Sequence, residues 1–190
     1  MNRQERAKWD ERHRDSAPGT PEPSIIELLP LMPTGLTLDV AAGSGRHALP
    51  LAKAGHHVIA ADFSAIAMQQ LASTARKGAQ PIAPLILDFE AALPFRPASF
   101  DCVVNINFLD RPLVPRLKAL LRVGGMLLFD TFLIDQATLG HPRDPRFLLQ
   151  HNELRAMLSE MELLSYHEGL VHYSSEKSAW RATALARRKA

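Results

Sequence analysis

A chain of 190 residues, 46% hydrophobic and 22% charged, is sized for one globular domain with a sizeable core. Its formal net charge of +2 gives no reason to expect non-specific nucleic-acid binding, and its longest apolar runs, such as Met126 to Phe129, fall far short of a membrane span. The single Cys102 rules out an intramolecular disulfide and a cysteine-based metal site; a polar N-terminus without a signal-like apolar region makes a cytoplasmic protein the simplest expectation.

Residues 2–14 are charged and helix-prone, with Trp9 as their one large apolar side chain. The run Ser16 to Pro23 (SAPGTPEP) breaks that helix and reads as a linker. Ser24, with Glu27 three residues on, has the spacing of a capping box for a helix through Met32. A first strand is predicted at 36–40, then a glycine turn and a helix from Arg46 to Lys53, ended by Gly55. A second strand at 57–61 leads to a helix capped by Ser64 and stopped by Gly78. Strands follow at 82–87 and 100–105. A helix from Pro112 to Leu121, closed by Gly124 and Gly125, precedes a fifth strand at 126–132. This alternation implies a parallel sheet with helices on both faces. After a loop at 141–145, Asn152 caps a helix to about Glu160. Two β-like segments, 163–171 and 179–186, then follow with Ser174 and Ser175 between them, and so short a connection makes them antiparallel.

The chemistry concentrates where strands end. Gly43-x-Gly45-x-x-Ala48 fits the G-x-G-x-x-G/A pattern, in which glycine lets backbone and ligand approach closely. Asp39 ends the first strand four residues before Gly43, where a carboxylate would repel a pyrophosphate and suits a cationic ligand end. Asp62 lies 19 residues after Gly43, where an acid accepts hydrogen bonds from ribose hydroxyls; its alternative is a cap for the Ser64 helix. Asp88, followed by Phe89, ends the third strand as a ligand residue or a turn residue. Asn105, Asn107, Asp110 and Arg111 leave strand four on the ligand rim, where they serve a site or order the loop. Asp130 and Thr131 leave strand five there, and His141, Arg143 and Arg146 occupy the next loop, the two arginines reading first as surface. Cys102 reads as a small buried hydrophobe, His56 and His57 lack further metal ligands, and the tail 187–189 reads as solvated. Trp9 either anchors its helix or closes over a cofactor.

These motifs resemble class I S-adenosylmethionine (SAM) methyltransferases, and within them the small bacterial tellurite-resistance and thiopurine-methyltransferase type. The likeness runs from Trp9-Asp-Glu-Arg12, with His13 where Tyr or Trp is common, through Leu38 to Ala48 and Val58 to Ser64, to Phe108–Arg111 and Asp130–Phe132. It implies a Rossmann-like fold: a mostly parallel seven-stranded sheet with a C-terminal antiparallel hairpin. It implies one domain over 1–190, with a lid helix and linker at 1–23 and a core at 24–190. The cofactor residues it implies are Asp39, Ala41, Gly43, Ser44, Gly45, His47, Asp62, Phe63, Asp88, Phe89 and Asn105. Candidates for acceptor handling or proton transfer are Asn107, Arg111, Asp130, His141 and His13; no metal is implied. Strand four ends in Asn105-Ile-Asn107, without the (D/N)-P-P-(Y/F) motif of nucleobase- and amide-methylating enzymes. The acceptor expected is therefore a small molecule, with no nucleic acid or membrane partner, and the protein a monomer or homodimer. The competing readings are an NAD(P)-dependent oxidoreductase, disfavoured by Asp39, and a SAM-binding regulatory protein without turnover.

Overall fold

The computed structural model describes residues 3–14, 18–174 and 177–190. Five parallel strands run β1 (Leu36–Val40), β2 (His57–Asp62), β3 (Ile82–Ile86), β4 (Phe100–Ile106) and β5 (Leu121–Phe132). A final hairpin, β6 (Glu162–His172) and β7 (Ser178–Arg187), completes one seven-stranded sheet in the order β3-β2-β1-β4-β5-β7-β6. β7 pairs antiparallel with both neighbours, slotting between β5 and β6. A purely parallel dinucleotide fold has no such strand, so the predicted hairpin is present and it sets the fold class.

Side chains alternate across the strands and divide the core in two. Leu38, Val103, Leu127 and Phe129 face one layer with Leu113, Leu117, Leu154 and Leu158. Val58, Ala60, Cys102, Val104 and Leu128 face the other with Ile25, Leu51 and Leu71. Cys102 is wholly buried and its thiol donates to the Pro33 carbonyl; burial, then Asp101, pushes that thiol up to about 12, so it behaves as the small hydrophobe expected.

The helices are α1 (Arg3–Arg14), α2 (Pro23–Leu28), α3 (Ala48–Lys53), α4 (Ala65–Lys77), α5 (Leu113–Leu120), α6 (Gln136–Leu139) and α7 (Glu153–Met157). Ser64 caps α4 by accepting from the Ala67 amide, as predicted. Five expectations need correction. The Ser24–Glu27 capping box does not form: Glu22 holds the cap position, Pro23 takes the first helical place, and the Ser24 hydroxyl turns inward to donate to Asp130. α2 ends at Leu28 and passes into a 3-10 turn, Leu29–Leu31. α3 begins at Ala48 rather than Arg46, because Gly45 at φ +93° keeps the chain turning beyond the loop. α5 ends at Leu120, and the glycine pair lies inside β5 beside a register shift between Phe100 and Cys102. Finally, Asn152 adopts φ +62° and makes no side-chain cap, and α7 runs only from Glu153 to Met157.

Candidate functional site

The carboxyl ends of β1, β2, β3, β4 and β5 form one rim, the place where open α/β sheets hold ligands. Its first half is backbone. The turn from Ala41 to His47 carries φ values of +52° at Ala41, +53° at Gly43 and +93° at Gly45. A β-carbon on Gly45 would lie 2.3 Å from Leu71 Cδ1, so this position requires glycine for space as well as for conformation. The Asp62 carboxylate ties the turn down, accepting from the Gly43 amide at 2.8 Å through one oxygen and from the Ser64 amide at 2.8 Å through the other. Thus Asp62 does act at the start of α4, and it also fixes the glycine loop. Ser44 is buried and donates to Gln70 on α4 at 3.0 Å. Phe63, next to Asp62, is buried as well.

Asp39 lies behind this loop with no exposed surface, and no hydrogen bond of normal geometry reaches either carboxylate oxygen among the described residues. Burial, and then the neighbouring Asp62 charge, push its carboxyl from the ordinary 3.8 up to about 8, with Arg46 opposing. His47 is buried too, its Nε2 turned to the Glu22 amide at 3.5 Å; burial, then Arg46, hold it down at about 3, so it is a neutral group.

At β3, Asp88 Oδ1 accepts from the Glu90 amide at 3.0 Å, and buried Phe89 lies 6.0 Å from the Phe108 ring. Sequence reasoning missed Arg116. From α5 it donates to the Phe89 carbonyl at 2.9 Å and to the Ala91 carbonyl, clamping this turn.

The second half of the rim is a network of side chains. Buried Arg181 on β7 donates from Nε to Asp130 Oδ1 at 2.7 Å and from Nη2 to Asn107 Oδ1 at 2.7 Å. Its guanidinium lies 4.5 Å over the Phe132 ring. Ser24 supplies the second donor to Asp130. Asn107, at φ +60°, donates to Glu22 at 2.9 Å; Tyr173 donates to the other Glu22 oxygen at 2.9 Å, and Arg46 pairs with Glu22 at 3.5 Å. Burial raises the Asp130 carboxyl against the pull of Arg181 and Ser24. Burial also works to raise Glu22, but Arg181, Asn107, Tyr173 and Arg46 outweigh it and the net direction is down. Glu22 therefore spans from the glycine-loop side to the β4–β7 side. Glu22, Ser24, Tyr173 and Arg181 carried no signal in the sequence beyond the polarity of Arg181 within an otherwise apolar strand pattern.

Of the candidates for chemistry, Asn107 and Asp130 come together in this network. Arg111 does not join it: its guanidinium grips Glu153 at 2.5 and 3.0 Å and the Leu148 carbonyl at 2.9 Å, bracing the loop before α7. Asn105 donates to the Phe108 carbonyl at 2.7 Å and orders the loop after β4. His141 is exposed on its loop, held through its carbonyl by Gln136. His13 lies on α1 over the glycine loop, its Cε1 3.2 Å from the place of a Gly43 β-carbon and its Nδ1 3.5 Å from Ser44 Oγ. Asp10 anchors α1 by accepting from Ser64 Oγ at 2.6 Å, and Gln70 donates to the carbonyls of His13 and Arg14.

A shallow cavity of about 300 Å³ between Ile26, Leu29, Met32 and His56 sits at the start of β2, the opposite end of the sheet from the rim. Among the described residues no group of three or more His, Cys, Asp or Glu could hold a metal ion, and no helix is long and apolar enough to cross a membrane.

Residues 37–125 match the family model described as a methyltransferase domain. A curated relative, Hemagglutinin 1 of Eikenella corrodens, is 30% identical over 172 residues, covering 87% of this chain and 57% of its own length. TehB from Haemophilus influenzae superposes with a TM-score of 0.74 at 24% identity, over 88% of this chain and 62% of its own. A SAM-dependent methyltransferase from Methanosarcina mazei superposes at 0.70 and 19% identity, over 90% of this chain and 99% of its own. The chain thus spans less than two thirds of the relative and of TehB. S-adenosylmethionine is the cofactor this family implies. Residues 37–125 thus match a methyltransferase domain, and the strand order and these neighbours share one fold, that of class I SAM-dependent methyltransferases.

Proposed function

We propose that the protein transfers a methyl group from S-adenosylmethionine to a small, soft nucleophile, a thiol or a chalcogen anion. The observation that carries the reading is Asp39. A carboxyl group buried completely, with no hydrogen bond of normal geometry to either oxygen among the described residues and its ionisation pushed up to about 8, is costly to ionise without a cationic partner. A ligand ammonium would pair with it, and SAM carries one. The loop fits the same ligand: positive φ at Gly43 and Gly45 folds the backbone tightly at the end of β1, Asp62 retains acceptor capacity for ribose hydroxyls, and Asp88 with Phe89 would hold the adenine.

SAM supplies a methyl group already activated by its positive sulfur. The protein's part is then to align the acceptor and exclude water. The β4–β7 network would form the acceptor wall, with α1 closing the other side. The side chains considered as bases support an acceptor that needs none. Asp130 is committed to Arg181 and Ser24, and His141 stands exposed on its loop. A thiolate or chalcogen anion is already deprotonated and meets that condition; a hydroxyl or a protonated amine does not. A cytoplasmic location belongs to this reading.

Calorimetry with S-adenosylhomocysteine and NADH tests the cofactor side: preference for NADH overturns it. A screen of thiols, selenite, tellurite and small oxygen and nitrogen acceptors with labelled SAM tests the rest. Turnover confined to oxygen or nitrogen acceptors would refute the soft-nucleophile assignment, and binding without turnover on any acceptor would leave a SAM-binding protein.

A further inference from the structure

We infer that β6 is a dimerisation edge: two copies of the chain pair their β6 strands antiparallel about a two-fold axis at His167, joining two sheets into one. The two edges of the sheet are finished differently. β3 is five residues long and carries Pro84 at its centre, which has no amide hydrogen to offer a further strand. β6 runs for 11 residues, Glu162 to His172, without Pro or Lys, and exposes Leu164 and Leu170. The backbone along it is unspent. Trp180, opposite Leu170, gives its carbonyl to the Leu133 amide and its own amide to Gln136 Oε1, both away from β6. Leu170 therefore sits in a non-hydrogen-bonded pair, and its amide and carbonyl point out of the sheet edge. The two-residue period carries Glu168 and Tyr166 with it. None of these groups has a backbone partner among the described residues.

The edge fits a second copy of itself because its sequence is self-complementary. With the axis at His167, Tyr166 of each copy lies opposite Glu168 of the other. Leu170 lies opposite the Leu163–Leu164 step, where the strand bulges against β7. Outward-facing residues then meet outward-facing ones, as inter-strand hydrogen bonds require. Apolar side chains meet at both ends, and no carboxylates face each other. Moving the axis to Glu168 sets two carboxylates together; moving it to Tyr166 sets Leu170 against Glu162 and Leu164 against Glu168. A two-fold pairing uses up both long edges, so assembly stops at two copies. It also braces, on its open side, the hairpin that carries Tyr173 and Arg181 of the β4–β7 network.

Sedimentation velocity on the full chain at micromolar concentrations should show a dimer and nothing larger. Leu170→Lys, which plants a charge on the exposed edge, should weaken association by ~10-fold or more while far-ultraviolet circular dichroism stays unchanged. At the axis the two His167 residues form a non-hydrogen-bonded pair with α-carbons ~4.5 Å apart, within disulfide reach, whereas Ser165 faces Gly169. With diamide as oxidant, His167→Cys should therefore cross-link into dimers ~10-fold faster than Ser165→Cys. Cys102, wholly buried, supplies no competing thiol. A chain that stays monomeric at every concentration, species larger than a dimer, association that Leu170→Lys leaves intact, or equal cross-linking of the two cysteine variants would overturn the inference. If Leu170→Lys does not fold, the two cysteine variants decide.

Discussion

The two halves of the rim are made of different material. On the β1–β3 side the site is a continuous run of backbone, Ala41 to His47, with positive φ at three places and one carboxylate tying it down. On the β4–β7 side it is side chains, drawn from Glu22, Ser24, Asn107, Asp130, Tyr173 and Arg181, whose most distant bonded pair is 151 residues apart. Backbone presents the same amides and the same bare surface whatever the neighbouring side chains, which suits an unvarying cofactor. A side-chain network changes with every substitution, which suits an acceptor site that must differ between relatives. The contrast predicts that damage on the network side falls on stability, and damage on the loop side falls on cofactor affinity.

Arg181→Met should show the largest effect. It leaves the buried Asp130 carboxylate without its partner, a loss of ~3–5 kcal/mol in urea denaturation. A loss under ~1 kcal/mol would erase the distinction between the halves. Asp39→Asn should do the reverse, weakening S-adenosylhomocysteine by ~10–100-fold, as expected for a lost charge-assisted pair, while the fold survives.

Asp39 also gives a pH signature. With its folded carboxyl up at about 8 and the ordinary value at 3.8, the unfolded chain ionises first. The ligand-free protein should therefore lose stability as pH rises from about 4 to about 8, and Asp39→Asn should flatten that slope. A slope that persists in the variant assigns it elsewhere.

Asp62→Ala sharpens the comparison because this residue serves both fold and loop. The two amides it releases should cost ~1–3 kcal/mol of stability, with S-adenosylhomocysteine affinity falling in the same variant. Unchanged affinity would leave Asp62 as a cap alone. Arg116→Ala should loosen the turn after β3 and weaken S-adenosylhomocysteine by ~3–10-fold, about the worth of one hydrogen bond, without touching the acceptor network. Arg111→Ala should have the smallest effect, ~1 kcal/mol of stability from its half-exposed pair with Glu153 and no change in cofactor affinity. A fall in affinity there would mean that the loop before α7 reaches the cofactor.

How much could be read beforehand divides along the same line. The loop is local in the chain. Asp39, Gly43, Gly45 and Asp62 fall within two strands of each other, so strand periodicity and glycine spacing brought them together without coordinates. All seven strands were legible for the same reason, and Cys102 read correctly from its place in an apolar run. The network was not legible, because hydrogen bonds over 74 and 106 residues leave no spacing to find. Ser24 shows how a local rule loses. Its capping-box spacing with Glu27 is real, but the buried carboxylate of Asp130 takes the Ser24 hydroxyl, and Glu22 and Pro23 fill the helix start instead. Arg111 was misplaced by the reverse error: it sits on the rim by position, yet Glu153, brought in by α7, takes its guanidinium.

The place of β7 between β5 and β6 has a consequence for how the chain matures during synthesis. The cofactor loop and the strands that support it are complete once β4 has left the ribosome. The other wall waits for Arg181, which lies 74 residues beyond Asn107. At ordinary elongation rates that is a delay of ~4–15 s. During it, the edge of β5 is open and Asp130 lacks its counter-charge. A nascent chain of this protein should therefore be able to hold its cofactor several seconds before it can recognise an acceptor.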